Sequence, residues 1–246
     1  MKLSIVSAYH NRRNSVLNTL DSFLKSKYKD DIEVIITDDG SDEEQRIDDL
    51  PSKYPFLKVV RFNKEDRKWK NPCVPFNIAI KLAAAPIIII QNPENYHVTD
   101  IISHAIENVN DNNYITYKVF ALTEEQSKNL DKTIKETPFE SITTSGHPNG
   151  WYNHPNYRAG YYHFVSAISS DILKNKLNGF DERFAHGWGF DDDDLIIRIN
   201  RLGLNKSIVE DHLSLHQWHS GSIPFNPTNE GLRNSILGEK IIKANV

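Results

Sequence analysis

Four carboxylates in a row, Asp191-Asp192-Asp193-Asp194, close a stretch that begins at Gly179 and contains Gly187-Trp188-Gly189-Phe190. Adjacent like charges repel, and capping a helix takes one aspartate rather than four, so the run points to chemistry more than to structure. Neighbouring carboxylates raise the pKa of one of the pair, which is what a general base needs when it takes a hydroxyl proton. Trp188, between two glycines, offers an aromatic face beside the acids, a platform that suits a sugar ring; its bland alternative is a core tryptophan. Late in the chain His216 and His219 flank Gln217-Trp218, with His212 just before them. A lone histidine is usually structural, but two flanking a tryptophan in one loop raise the odds of a functional role.

These residues need elements to hold them. Leu195, Ile196, Ile199 and Leu202 recur at helical spacing and Gly203 supplies a stop, so the acids fall on the first turn of an amphipathic helix, where the macrodipole tolerates them. The first strand reads as Leu3 to Tyr9, followed by a helix capped at Asn14-Ser15. Ile32 to Thr37 is a second strand, ending in Asp38-Asp39-Gly40-Ser41-Asp42, which opens a predicted helix over Glu43 to Leu50. Strand, acidic turn and helix is the layout of a nucleotide site. Leu57 to Phe62 makes a third strand, Asn63 to Asn71 a basic loop, Val74 to Ala84 a helix and Ile87 to Ile90 a fourth strand. Such alternation predicts a parallel sheet whose ligands bind at the carboxyl ends of the strands, here Ala8-Tyr9, Asp38-Asp39 and Gln91 to Glu94.

The second half is less regular. It reads as helices near 99–108, 123–135, 171–177 and 230–243, and strands near 114–120, 163–169 and 206–209. Residues 137–161 have no periodicity; their Gly, Pro, His, Asn, Trp and Tyr fit either a binding loop or disorder. With no internal repeat, the natural seam is near Gln91 to His97, so residues 1–97 are expected to form a nucleotide-binding half and 98–246 an acceptor-binding, catalytic half of one domain.

Composition narrows the classes. The 246 residues are 39% hydrophobic, enough for one sizeable core, and carry a net charge of -4, which provides no positive field for nucleic acid or an anionic membrane. The single cysteine, Cys73, excludes an internal disulfide, and no apolar run approaches the ~20 residues of a spanning helix. Leu3 to Ala8 is too short for a signal core, so a cytoplasmic setting is expected.

Three motifs now stand in order: Ser-Ala-Tyr-His-Asn-Arg (7–12), Asp-Asp-Gly-Ser (38–41) and Gly-Trp-Gly-Phe-Asp-Asp-Asp-Asp-Leu (187–195). Together they resemble the family 2 glycosyltransferases of GT-A fold, an α/β architecture with a mostly parallel sheet. The last motif also resembles the Trp-Gly-Gly-Glu-Asp-Asp-Asp of the β1,4-galactosyltransferase and chondroitin-polymerase group. The resemblance implies a metal-dependent, inverting transfer of a sugar from a nucleotide sugar, UDP-linked for preference, to a hydroxyl of a glycan or glycoconjugate. By it, Ala8 and Tyr9 contact the base, and Asp39 accepts from a base N–H such as uracil N3; a turn with a helix cap is the competing role for Asp39. Arg67 would face the diphosphate, against the alternative of a solvated charged loop. Asp192 becomes the general base, Asp191 holds substrate hydroxyls, and Trp188 and Gly187 meet the acceptor.

One motif departs from the family. Where an Asp-x-Asp ends the fourth strand and binds a divalent cation, this chain has Asn92-Pro93-Glu94. Glu94 still offers a carboxylate and Asn92 a carbonyl for the metal or the ribose. By resemblance a late histidine completes the set, His216 first and His219 second, with His212 and His97 behind them, and Mn²⁺ or Mg²⁺ is the implied cofactor. The missing carboxylate keeps open a non-catalytic nucleotide- or carbohydrate-binding protein on the same fold. A retaining transferase is a further alternative. A nucleotidyltransferase is disfavoured because Tyr9 to Asn14 lacks a phosphate-loop glycine.

Overall fold

The structure is a computed structural model that describes residues 1–220 and 228–236. In chain order the first half runs β1 (Leu3–Tyr9), α1 (Arg13–Phe23), β2 (Ile32–Asp39), β3 (Leu57–Phe62), α2 (Cys73–Leu82), β4 (Ile87–Gln91) and β5 (Asn95–His97). The second runs α3 (Ile101–Asn108), β6 (Asn113–Ala121), α4 (Glu124–Lys128), α5 (Leu130–Glu136), β7 (Gly150–Asn153), β8 (Val165–Ser169), α6 (Asp191–Arg201) and β9 (Asn205–His216).

Among the described residues the nine strands join one sheet, in the order β3-β2-β1-β4-β8-β6-β9-β5, with β7 paired to β6. The strands β3, β2, β1 and β4 are parallel, as their β-branched, turn-bounded runs predict. Beyond them β8 runs antiparallel to β4 and β6, while β6 and β9 are parallel. Alternate residues feed two cores. Leu3, Ile5, Val34, Ile36 and Ile89 pack with α1 and α3, whereas Val6, Ile35, Ile88 and Ile90 pack with α2 and α6. A third cluster, around Trp151, Phe120 and Leu215, fills the space beside β6 and β9. This mixed α/β sheet with helices on both faces is the GT-A architecture expected from the sequence. Among the described residues no helix is long and apolar enough to cross a membrane.

The structure corrects several local readings. The predicted helix over Glu43 to Leu50 is two single 3-10 turns, Glu43–Gln45 and Leu50–Ser52. Tyr9 donates its hydroxyl to the Gln45 carbonyl and Arg13 its guanidinium to that of Arg46, so side chains take acceptors a helix would have used, and Pro51 blocks continuation. The helix predicted over 123–135 splits at Asn129 into α4 and α5. The short strand expected at 206–209 extends to His216, which puts the histidines on and just past a strand end. Residues 137–161 hold β7, and Asn95–His97 is a strand, neither of which was foreseen. The final helix is present over 230–236; its predicted remainder lies outside the described residues.

Candidate active site

The carboxyl ends of β1, β2 and β4 and the start of α6 open into one cleft of about 1010 Å³. Its walls include Ala8, Tyr9, Asp39, Arg67, Asn92, Trp188, Asp191 and Asp192. A second groove of about 780 Å³, beside Asn77, Lys174 and Arg198, contains none of the candidate site residues.

The acids enter the cleft through an unusual turn. Gly189 and Phe190 both have left-handed backbones, φ 75° and 66°, and this turn delivers Asp191 onto the first turn of α6. A bulky phenylalanine at positive φ is strained, a cost that concentrates at functional sites. The four carboxylates then part company. Asp194 turns away to Arg198 at 2.6 Å, and Asp193 accepts from the Tyr162 hydroxyl at 3.1 Å. Asp191 is 5% exposed and accepts from the Asn71 amide at 2.7 Å. Asp192, on the cleft wall, accepts the backbone N–H of Asp193 at 2.9 Å and no side-chain donor among the described residues. Burial first, then the charges of Asp191 and Asp193, push its pKa up to about 7. Burial likewise raises Asp191, against the Asn71 hydrogen bond.

Glu94 lies behind the cleft, 1% exposed, in the turn between β4 and β5. His216 Nε2 stands 2.9 Å from its Oε1 and His219 Nε2 3.5 Å, while Arg12 donates to Oε2 at 2.9 Å. Burial alone would raise the Glu94 pKa; the guanidinium and the two imidazoles override it and hold the carboxyl well below its usual range. Donor atoms of Glu94, His216 and His219 all lie within 4.8 Å of one another. Gln217 bolts the group in place. Its amide donates to the Glu94 and Ser15 carbonyls at 2.9 and 3.0 Å and accepts from Asn18 at 2.7 Å, tying α1, the 92–94 turn and the end of β9.

At the other end Asp39 is engaged through both oxygens, by the Trp69 indole N–H at 2.8 Å and by Arg67 at 3.1 Å. Burial raises its pKa to about 6, against the pull of Arg67. Arg67 therefore stands on Asp39 rather than free on the loop. Tyr9 reaches the cleft wall, yet its ring is 1% exposed and belongs to the core. Gly187 is buried and off the cleft; a Cβ there would meet the Asn229 side chain at 1.9 Å, which explains the glycine by packing. The outer histidine candidates sit elsewhere, His97 buried against Gln91 at 2.9 Å and His212 beside His104.

Sequence reasoning assigned no role to Arg12, Trp69, Asn71, Tyr162 or Gln217. The first three lay in segments already marked, after the first strand and in the basic loop, and an indole or amide among lysines was the available signal. Tyr162 and Gln217 gave none, because their partners are 31 and 123 residues away.

Comparison with known proteins agrees with this geometry. Residues 4–168 match the profile described as glycosyl transferase family 2, and residues 147–218, which hold the acids and His216, match the N-terminal domain of galactosyltransferase. No curated protein matches the chain in sequence. Among solved structures, S. aureus TarS 1-349 in complex with UDP-GlcNAc is 16% identical, with a TM-score of 0.70 over 98% of this chain and 67% of that one. The mannosyltransferase PcManGT from Pyrobaculum calidifontis, in complex with GDP-Man and Mn²⁺, is 14% identical, with a TM-score of 0.59 over 90% and 58%. This chain spans 60% of TarS 1-349 in another of its structures and 42% of a longer TarS chain. Since the family 2 profile covers two thirds of its length, the chain belongs to glycosyl transferase family 2, and its likeness to the solved structures is one of GT-A fold.

Proposed function

We propose that the protein is a metal-dependent, inverting glycosyltransferase that moves a sugar from a UDP-sugar to a hydroxyl of a glycan or glycoconjugate. The observation that carries this reading is Asp192, a carboxylate poised near neutrality on the wall of the cleft that also holds Asp39.

Asp39 has acceptor capacity left beyond Trp69 and Arg67, since a carboxylate takes about four hydrogen bonds, and uracil N3–H is a matching donor. The UDP-GlcNAc held by the TarS neighbour is in keeping with that choice. A divalent cation fits Glu94, His216 and His219. Glu94 Oε1 is 2.9 and 3.5 Å from the two Nε2 atoms, the spacing of neighbouring ligands around an ion with bonds of about 2.0–2.2 Å. In both rings Nε2 is the nitrogen that faces Glu94, so it is the atom placed to meet a metal. When bound, Mn²⁺ or Mg²⁺ would supply positive charge to the leaving diphosphate. Arg12, at 2.9 Å from Oε2, orients the carboxylate and leaves Oε1 to the ion.

Asp192 takes the acceptor hydroxyl proton while that oxygen bonds the anomeric carbon, and the nucleoside diphosphate leaves with the bonding electron pair. Trp188, half-buried on the wall, offers its face to the acceptor ring, and Asp191 and Asn92 offer polar contacts to substrate hydroxyls. The buried free thiol of Cys73 is in keeping with a cytoplasmic setting. Turnover of a panel of UDP-sugars, with the product anomer read by NMR, tests the proposal. Inverted product formed only with metal supports it; no turnover of any nucleotide sugar, or a retained anomer, contradicts it.

A further inference from the structure

Asn71 has no business with solvent: it is 1% exposed, at the end of the basic loop, directly ahead of α2. Its backbone N–H and that of Lys70 both donate to the Ala185 carbonyl, at 3.1 and 2.7 Å, which clamps the loop to the turn leading into the acids. Its side-chain oxygen accepts from the Cys73 N–H at 2.9 Å. That bond fixes the orientation of the amide, because the oxygen must face the backbone donor, and it leaves the NH₂ facing Asp191 Oδ1 at 2.7 Å. Asp191, 5% exposed, is thus presented with a fixed donor, and an N–H favours the charged form of a carboxylate.

The consequence falls on its neighbour. Two adjacent carboxylates in one buried site share a proton at intermediate pH, and the one with fixed donors keeps the charge. Asp192 has no side-chain donor among the described residues, so the proton goes to Asp192. Other groups bear on the pair: Asp193 from α6, Tyr162 from the segment before β8, Tyr114 from β6 and Cys73 from α2. Also lining the cleft are the bases Arg12, Lys64, Arg67, Lys68, Lys70 and Arg158, with Asp39, His10 and His163. None of these is within hydrogen-bonding reach of Asp191; the Asn71 amide is the only side chain hydrogen-bonded to it among the described residues.

We propose that Asn71 is a positioning residue for transfer: it holds Asp191 charged and fixed, so that Asp192 alone exchanges the acceptor's proton. The idea rests on the reading of Asp192 as the base and adds the device that selects it from four aspartates. Without the amide, Asp191 retains the proton more readily, Asp192 loses its charged neighbour, and Asp192 ionises at lower pH.

Asn71→Ser keeps an oxygen for the Cys73 N–H but cannot reach Asp191; Asn71→Ala removes both. The readout is the Asp192 carboxyl carbon resonance, identified by its absence in Asp192→Asn and titrated in ¹³C-aspartate-labelled protein, beside the pH profile of kcat/KM. Both Asn71 variants are expected to move the resonance and the acid limb of the profile to lower pH by about one unit, with a lower plateau. An unmoved midpoint in a folded Asn71→Ser overturns the proposal, even if its rate falls. The NMR titration needs no turnover. If Asp192→Asn keeps wild-type activity while Asn71→Ser still shifts the resonance, the base assignment fails and the Asn71 coupling stands.

Discussion

At the scale of residues, the four aspartates show how alike side chains take different work from their surroundings. Asp194 is held by Arg198, Asp193 meets a tyrosine, Asp191 an amide, and Asp192 is left to titrate near 7. Asp192→Asn is expected to lower turnover by at least about 100-fold, the scale of a lost general base, with nucleotide binding nearly unchanged. Wild-type kcat in that variant would remove Asp192 from the mechanism. Glu94→Ala should abolish any dependence of nucleotide binding on Mn²⁺, because the two imidazoles lose the one carboxylate grouped with them among the described residues. Metal titration followed by calorimetry reads this, and an unaltered metal response would place the ion elsewhere.

At the scale of elements, the parallel strands were legible because each is a short, β-branched run bounded by turn residues, and β1 and β3 match their predicted limits. The acidic helix was equally legible from its spacing. The irregular half was not. The short strands β5, at the seam, and β7 are three and four residues long, and their pairing with β9 and β6 is decided by residues 29 or more positions away. The site followed the same division. Asp39, Glu94, His216 and the α6 acids stood out as types in motifs, while Gln217 and Asn71 act through contacts that only folding creates. Gln217→Leu is therefore an element-scale test. Removing an amide that serves α1 and the 92–94 turn takes one donor each from the Ser15 and Glu94 carbonyls and the acceptor from the Asn18 amide, and should cost about 1–3 kcal/mol by denaturant titration, with weaker Mn²⁺ binding. Unchanged stability and metal affinity would show that the bolt holds nothing.

At the scale of the whole molecule, the site's chemistry should be visible in stability. Asp192 has an ordinary carboxylate pKa when unfolded and about 7 when folded, so between about pH 4 and 7 the folded chain binds the extra proton. Its contribution is fully present below the unfolded value and is lost as pH rises to the folded one, at up to about 1.4 kcal/mol per pH unit. Asp192→Asn removes that slope, so the variant's stability relative to the wild type should climb across this window. A constant difference between the two would mean that Asp192 is not shifted. The buried carboxylates Asp39, Glu94 and Asp191 and the half-buried Asp192 are a cost to the fold, and a nucleotide with its metal is the ligand expected to offset it.

The central claim is a nucleotide-sugar site completed by a metal at Glu94, His216 and His219. Its most direct test is thermal unfolding with UDP, GDP, CMP or dTDP, each with and without Mn²⁺. A ligand at about 100 times its Kd adds about 2.7 kcal/mol, an easily measured rise in Tm. The account predicts that UDP stabilises the protein and that Mn²⁺ enlarges the effect; stabilisation by no nucleotide under either condition would contradict it.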